Sequence, residues 1–144
     1  MNLDQQRLVR ASFDKVVPIS AAAASLFYGR LFELDPKLRV LFKSDLEDQG
    51  RKLMAMLGMV VADIHRISTL IPAVRDLGRR HATYGVTDLD YDTVASALLW
   101  TLEKGLGTDF TADTKSAWVA CYSLLASEMK SAARNAKVAV LPPC

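Results

Sequence analysis

The sequence predicts an all-α fold, and three observations support that prediction. Apolar residues recur at helical spacing along most of the chain, alternating strand patterns are absent, and the 144 residues include only 7 glycines and 5 prolines for turns. A chain of this length forms one domain with a sizeable apolar core. We place this domain at residues 1–137 and a C-terminal tail at residues 138–144.

The first helix is indicated by Val9, Phe13 and Val16, which are spaced i, i+4 and i+7. Pro18 ends this helix, because proline cannot continue the helical hydrogen bonding. Ser20 is the predicted cap of the second helix, since a serine hydroxyl can accept a hydrogen bond from a first-turn N–H.

The second helix is predicted to end at Asp35, where Pro36 can begin a short helical turn over residues 37–42. A polar stretch over residues 43–48 follows. The third helix is long, and its apolar stripe consists of Leu53, Leu57, Val60 and Ile64.

The fourth helix is predicted to have Pro72 in its first turn and to stop at Gly85. Its apolar face carries Leu70, Val74, Leu77 and His81. Asp88 or Asp90 is the predicted cap of the fifth helix, which Gly105 and Gly107 close. The inward positions of the fifth helix are Tyr91, Val94, Leu98 and Leu102.

The last helix is predicted to start near Thr111. Its buried positions are Trp118, Cys121 or Tyr122, Leu125 and Met129. Pro142 and Pro143 place the segment after residue 137 outside the packed domain.

Composition excludes several classes of function. The 18 Lys and Arg exceed the 16 Asp and Glu by only 2, too small an excess for a surface that follows nucleic acid phosphates. The longest uncharged stretch, Val16 to Gly29, contains Pro18 and is shorter than a bilayer span. No signal peptide pattern opens the chain. We therefore expect a cytoplasmic protein with no membrane span and no nucleic acid partner.

Metal binding must involve His65 or His81, the 2 histidines of the chain. The cysteines, Cys121 and Cys144, have neither metal-ligand spacing nor a disulfide framework. A lone histidine cannot hold a structural zinc, whereas a haem iron needs only one axial histidine because the porphyrin supplies four nitrogens. His81 lies on an apolar helix face and is the better candidate, although such a residue can also be a hydrogen-bonded core histidine. His65 is interpreted as a surface residue.

A haem site also needs hydrogen-bond donors across an apolar cavity from His81. Tyr28 and Gln49 are the two donors that the sequence offers. Tyr28 lies in an apolar segment of the second helix, and Gln49 opens the third helix. Taken individually, Tyr28 can equally be a core aromatic and Gln49 a solvated first-turn residue.

Five segments resemble the globin family in their order and spacing, over about Leu8 to Met129. The segments are LFYGRLF at 26–32, DPKLRVLF at 35–42, QGRKLM at 49–54, LGRRHATYGV at 77–86 and AWVACY at 117–122. The chain is most similar to single-domain bacterial haemoglobins related to the haem domain of flavohaemoglobins. The resemblance implies a globin fold for the domain and haem b as the cofactor.

The resemblance also implies a role for each site residue. His81 corresponds to the proximal iron ligand, Tyr28 and Gln49 to the distal residues that stabilise the bound ligand, and Phe42 to the aromatic that packs on the porphyrin. The other implied cofactor contacts are Lys52, Leu53, Leu57, Leu77, Arg80, Val86, Tyr91, Val94 and Leu98.

Some of these positions leave alternatives open. Lys52, Arg79 and Arg80 are placed to reach the haem propionates or to form a solvated helix face. Tyr91 matches the tyrosine that, with a glutamate, braces the proximal histidine of flavohaemoglobins. That glutamate does not transfer cleanly, because its place falls near Lys130 to Ser131 and the nearest acid, Glu128, lies on another helix face.

The implied function is reversible, high-affinity binding of dioxygen, with nitric oxide and carbon monoxide as further ligands. Dioxygen held in such a pocket carries partial negative charge, and each hydrogen bond to it contributes about 1.5 to 3 kcal/mol. Nitric oxide dioxygenation is a secondary capability that we expect to need an external reductase, because the sequence contains no Gly-rich nucleotide-binding fingerprint. A haem-based gas sensor and a haem-free helical interaction module are the alternatives.

Overall fold

The computed structural model describes residues 1–43 and 45–140, and for residues 136–140 it describes the backbone only. This part of the chain contains no strand. Its α-helices are α1 Leu3–Val16, α2 Ser20–Leu34, α3 Leu46–Ala62, α4 Ile71–Thr83, α5 Asp88–Leu106 and α6 Ala112–Val140. Short 3₁₀ helices lie at Val17–Ile19, Pro36–Leu41, Ile64–Leu70 and Gly107–Asp109. The predicted all-α fold is confirmed.

The start of α2 differs from the prediction. Ser20 is the first helical residue rather than the cap, and no side chain caps α2. Pro18 does end α1, but the chain continues through a 3₁₀ turn at Val17–Ile19. No residue with an extended backbone directly precedes α2. Because a serine caps a helix only when its own backbone is extended, Ser20 has no capping role here.

Thr87, not Asp88 or Asp90, caps α5. The Thr87 side chain accepts from the backbone of Asp90, and the Thr87 N–H donates to Asp90 Oδ2 at 2.9 Å. This reciprocal arrangement pairs two donors that the helix leaves free. At the other end, α5 runs through Gly105 and ends at Gly107, whose positive φ of 58° suits a glycine.

The predicted tail begins within α6. The backbone of α6 continues through residues 138–140, and residues 141–144 lie outside the described part of the chain. Ser44, in the predicted polar stretch, also lies outside it. Across the described residues, no single helix has the length and hydropathy for a membrane crossing, and the pair Leu46–Ala62 with Ile64–Thr83 has them only across a 111° bend.

α1 and α6 pack at the centre of the core. Trp118 of α6 is 2% exposed and is among the largest fully buried side chains of the described residues. Its Nε1 donates to Ser12 Oγ of α1 at 2.8 Å, and the Ser12 hydroxyl donates to Leu8 O at 2.7 Å. This buried hydrogen bond joins two residues that are 106 positions apart in the sequence, and it gives the indole N–H an acceptor.

Replacing Ser12 with alanine is expected to lower the free energy of unfolding by about 1 to 3 kcal/mol, because the buried indole N–H of Trp118 then lacks an acceptor. Urea denaturation followed by Trp fluorescence measures this change. Ser116→Ala, at an exposed position of α6, is the matched control. An equal midpoint for both variants would show that the hydrogen bond contributes nothing.

The packing of α3 and α4 shapes the site. α3 packs on α2, whereas α4 packs along α6, and α3 and α4 barely touch one another. The 3₁₀ helix Ile64–Leu70 connects them and contains a kink at Arg66, where φ is −130° and ψ is 41°. α3 and α4 are therefore held in place by different neighbouring helices.

Candidate functional site

His81 lies in the last turn of α4 and is half-buried. Its Nδ1 is 2.8 Å from the carbonyl oxygen of Leu77, one turn earlier on the same helix. A carbonyl only accepts, so Nδ1 carries the proton and Nε2 of the neutral ring keeps its lone pair. This hydrogen bond fixes the ring orientation and leaves the Nε2 lone pair available to a metal ion.

The environment of His81 favours the neutral imidazole. Burial lowers the pKa of His81 below its usual value, the hydrogen bond to Leu77 opposes this, and the positive charge of Arg80 lowers it further. A neutral imidazole is the form that binds a metal ion. The lowered pKa therefore favours the form of His81 that could bind a metal ion.

Some apolar side chains of α3 and α4, and of the residues just after α4, are covered only in part by the protein. Leu53 on α3 and Leu77 on α4 are half-buried, although both belong to the apolar stripes of their helices. Val86, just after α4, is also half-buried, and its N–H donates to His81 O at 3.1 Å. Partly covered apolar side chains near a histidine whose Nε2 lone pair is available could contact a flat, largely apolar cofactor.

Tyr28 lies on α2 and is 7% exposed. Burial raises the pKa of Tyr28 to about 12, so its hydroxyl is a protonated donor at neutral pH. Among the described residues, no group forms a hydrogen bond with this hydroxyl. Tyr28 is held by ring contacts, with Phe27 at 5.1 Å, Phe32 at 6.1 Å and Phe42 at 5.3 Å between centroids.

Phe42 and Tyr28 are brought together, as their implied roles require. Phe42 follows the 3₁₀ helix Pro36–Leu41, which Asp35 caps by accepting from the Lys37 N–H. Its ring meets Tyr28 edge-on, and its carbonyl accepts from Arg39 Nη1 at 3.0 Å. The short 3₁₀ helix therefore fixes an aromatic side chain next to the candidate distal tyrosine.

Gln49 is half-buried in the first turn of α3, and Asp45 caps that helix by accepting from the Glu47 N–H. Lys52 lies on the exposed side of α3. Arg80 is exposed and forms an ion pair at 3.1 Å with Asp76 of its own helix. Among the described residues, no hydrogen bond, ion pair or ring contact joins Lys52, Arg79 or Arg80 to Tyr28 or His81.

Three of the predicted lining residues surround an inner cavity. Leu53, Leu57 and Leu98 meet around a completely apolar space of about 20 Å³. Its remaining walls are Phe13, Val16, Ala23, Phe27, Met54, Thr101, Leu102 and Trp118. Leu57 and Leu98, both predicted cofactor contacts, thus line a space within the core.

Tyr91 and Val94 lie on α5, Tyr91 buried and Val94 half-buried. The carbonyl of Tyr91 accepts from Tyr122 Oη at 2.7 Å, and Lys130 Nζ lies 5.6 Å from the Tyr91 ring centre. Glu128 instead forms an ion pair with Arg75 at 3.0 Å. The charged neighbour over the Tyr91 ring is therefore a cation and not a carboxylate.

A larger surface cleft, of about 290 Å³, lies between α5 and α6. It contains none of the candidate site residues. Its lining is Asp92, Ala95, Tyr122, Ser123, Ala126, Ser127, Lys130 and Arg134. The described residues also include no cluster of three or more His, Cys, Asp or Glu side chains that could hold a metal ion.

Sequence reasoning missed Gly78 and the ion pair between Arg75 and Glu128. A methyl group at Gly78 would lie 2.4 Å from Met129 O, so α4 and α6 are in backbone contact there. A glycine in the interior of an amphipathic helix was the available signal, because glycine is unfavourable there unless packing requires it.

Comparison with known proteins gives concordant results. The Globin family model matches residues 25–129. Neuroglobin from Tetraodon nigroviridis is 27% identical over 138 residues, covering 86% of this chain and 87% of the relative. Neuroglobin from Danio rerio is 27% identical over 136 residues, covering 85% of this chain and 86% of the relative.

One solved structure is similar over nearly the whole chain. It is an engineered carbene transferase made from a protein of Rhodothermus marinus. The name describes the parent protein as an inferred nitric oxide dioxygenase. The two structures superimpose with a TM-score of 0.87 at 28% identity, covering 97% of this chain and 98% of the other.

Proposed function

This chain belongs to the globin family, and on that premise we propose that it carries haem b and binds dioxygen reversibly with high affinity. Proteins of this family bind haem and, through it, diatomic gases. The proposal extends to His81 as the iron ligand and to Tyr28 and Gln49 as the donors that stabilise the ligand. Nitric oxide and carbon monoxide are the further ligands that we propose.

The observation that carries the proposal is the hydrogen bond from His81 Nδ1 to Leu77 O. It orients a neutral imidazole with Nε2 available, on a helix that is separated from α3. The half-buried leucines of the two helices, Leu53 and Leu77, fit the faces of a porphyrin. His81 would hold the haem, which would supply the iron atom that binds a diatomic gas.

The chain's own residues then determine affinity. The Tyr28 hydroxyl, kept protonated by burial, donates to the ligand, and Gln49 adds a second donor. Hydrogen bonds to a charged acceptor contribute about 1.5 to 3 kcal/mol each, and about 1.4 kcal/mol is a tenfold change in an equilibrium constant. A protein with two such donors releases dioxygen slowly, which suits scavenging or storage at low oxygen in the cytoplasm.

Nitric oxide dioxygenation is the second activity that we propose, and the named activity of the Rhodothermus marinus relative favours it. That reaction would need a supply of electrons, which none of the residues at the candidate site provides. The sequence contains no nucleotide-binding fingerprint, and we propose an external reductase as the electron donor.

Absorbance of the purified protein, before and after titration with haemin, tests the proposal. We expect a Soret band that saturates at one haem per chain, and reversible spectral changes when the reduced protein meets dioxygen. A colourless protein that takes up no haemin would support a haem-free interaction module. A gas sensor would instead show a partner whose binding changes with oxygen.

A further inference from the structure

α4 carries His81, but α6 determines where α4 lies. Among the helix pairs of the described residues, α4 and α6 have the most extensive packing. The remaining contacts of α4 are mainly with the 3₁₀ helix Ile64–Leu70, and it barely touches α3. The contacts that set the distance and register between α4 and α6 therefore also set the position of His81.

Gly78 sets the distance. A Cβ atom at this position would lie 2.4 Å from Met129 O and 2.6 Å from Met129 Cα, both backbone atoms that cannot rotate away. Glycine in a helix interior is about 1 kcal/mol less favourable than alanine, so the close approach is what this residue provides. His81 lies three residues further along α4, about 60° around the helix axis from Gly78.

The ion pair between Arg75 and Glu128 sets the register. Arg75 Nη1 lies 3.0 Å from Glu128 Oε2, and the two side chains are 28% and 30% exposed. Arg75 lies about 60° from Gly78 on the side opposite His81. A partly buried pair on that flank resists rotation and sliding of α4 along α6.

We propose that Gly78 and the Arg75–Glu128 ion pair are positioning residues that set where the His81 ring lies, because they fix the distance and register of α4 on α6. The proposal rests on the proposed function, in which His81 Nε2 binds the haem iron. A side chain at residue 78 forces the two helix backbones apart. Because His81 lies only about 60° around the helix from Gly78, which faces α6, this displacement draws the His81 ring back. Loss of the ion pair leaves the distance between α4 and α6 unchanged but allows α4 to rotate and slide along α6.

Gly78→Ala tests the distance, with Gly29→Ala as the matched control, because a Cβ at Gly29 meets no atom within 4 Å. The readout is the iron–histidine stretching band in the resonance Raman spectrum of the reduced, haem-loaded protein. We expect a lower wavenumber for Gly78→Ala than for wild type and a several-fold faster release of dioxygen, since His81 is drawn back from the haem. A folded Gly78→Ala protein with the wild-type band overturns the role of Gly78.

Glu128→Gln tests the register, and it still tests the proposal if Gly78→Ala does not fold. Asp109→Asn is its control, because Asp109 forms a 3.1 Å ion pair with Lys15 between other elements. We expect the iron–histidine band to shift or broaden in Glu128→Gln alone. An unchanged band overturns the role of the ion pair. A wild-type protein that takes up no haem would instead contradict the proposed function.

Discussion

Replacing His81 with alanine is expected to weaken haem binding by more than about 100-fold, because mutation of residues that merely support a metal ligand already costs 10- to 100-fold. Haemin titration of the apoprotein, followed in the Soret region, measures the affinity. The half-buried site should also accept exogenous imidazole, which restores an axial nitrogen without restoring the helix attachment. Recovery of the Soret band by imidazole would then separate loss of the ligand from loss of the fold.

His65→Ala is the matched control for this experiment. His65 is the other histidine of the chain and lies exposed in the 3₁₀ helix Ile64–Leu70. We expect wild-type haem affinity and an unchanged spectrum for this variant. If His81→Ala behaves like His65→Ala, the iron is bound by some other residue and the assignment of His81 is wrong.

Tyr28→Phe is expected to accelerate dioxygen dissociation by about 10- to 150-fold, which corresponds to the loss of one hydrogen bond of about 1.5 to 3 kcal/mol to a charged acceptor. The phenylalanine keeps the ring contacts with Phe32 and Phe42, so the change isolates the hydroxyl. Stopped-flow displacement of dioxygen by carbon monoxide measures the rate. A rate equal to wild type would exclude Tyr28 from the ligand site.

Tyr84→Phe is the control for the loss of a hydroxyl, since Tyr84 is 64% exposed. The wild-type rate should also be constant with pH up to about 11, because burial raises the pKa of Tyr28 to about 12 and the folded protein keeps the phenol protonated below that value. Acceleration above this pH in wild type, absent in Tyr28→Phe, would identify the titrating donor as Tyr28.

Much of this fold could be predicted from local sequence. The apolar stripes located the helices, Asp35 and Pro36 marked the start of a 3₁₀ helix, and Gly107 marked the end of α5. The helix starts were less well defined, because neighbouring residues can offer the same capping chemistry. Thr87 was available one residue before Asp88, and the capping box with Asp90 decided in its favour.

The residues of the candidate site were predicted less directly than the helices. The roles of His81, Tyr28 and Phe42 were implied by the order of segments, and they remain to be tested. The structure adds that Tyr28 and Phe42 are in contact and that His81 is oriented by Leu77. These local relations lie within reach of spacing arguments.

Contacts between distant helices were not predictable in the same way. The approach of Gly78 to Met129 and the placement of Lys130 over Tyr91 each depend on how two helices cross. Helical periodicity tells which face of a helix is buried, but not which residue of a distant helix it meets. The same limitation hid the pairing of Glu128 with Arg75, which are 53 residues apart.

The hydrogen bond between Trp118 and Ser12 has a consequence for how the chain acquires its structure during synthesis. Its two residues are separated by 106 positions, so most of the chain must emerge from the ribosome before this contact can form. Closing so long a loop is entropically costly and slow, and partly finished chains expose the apolar faces that the contact later covers. We expect the nascent protein to remain incompletely folded until α6 emerges, and therefore to depend on chaperones that shield those faces.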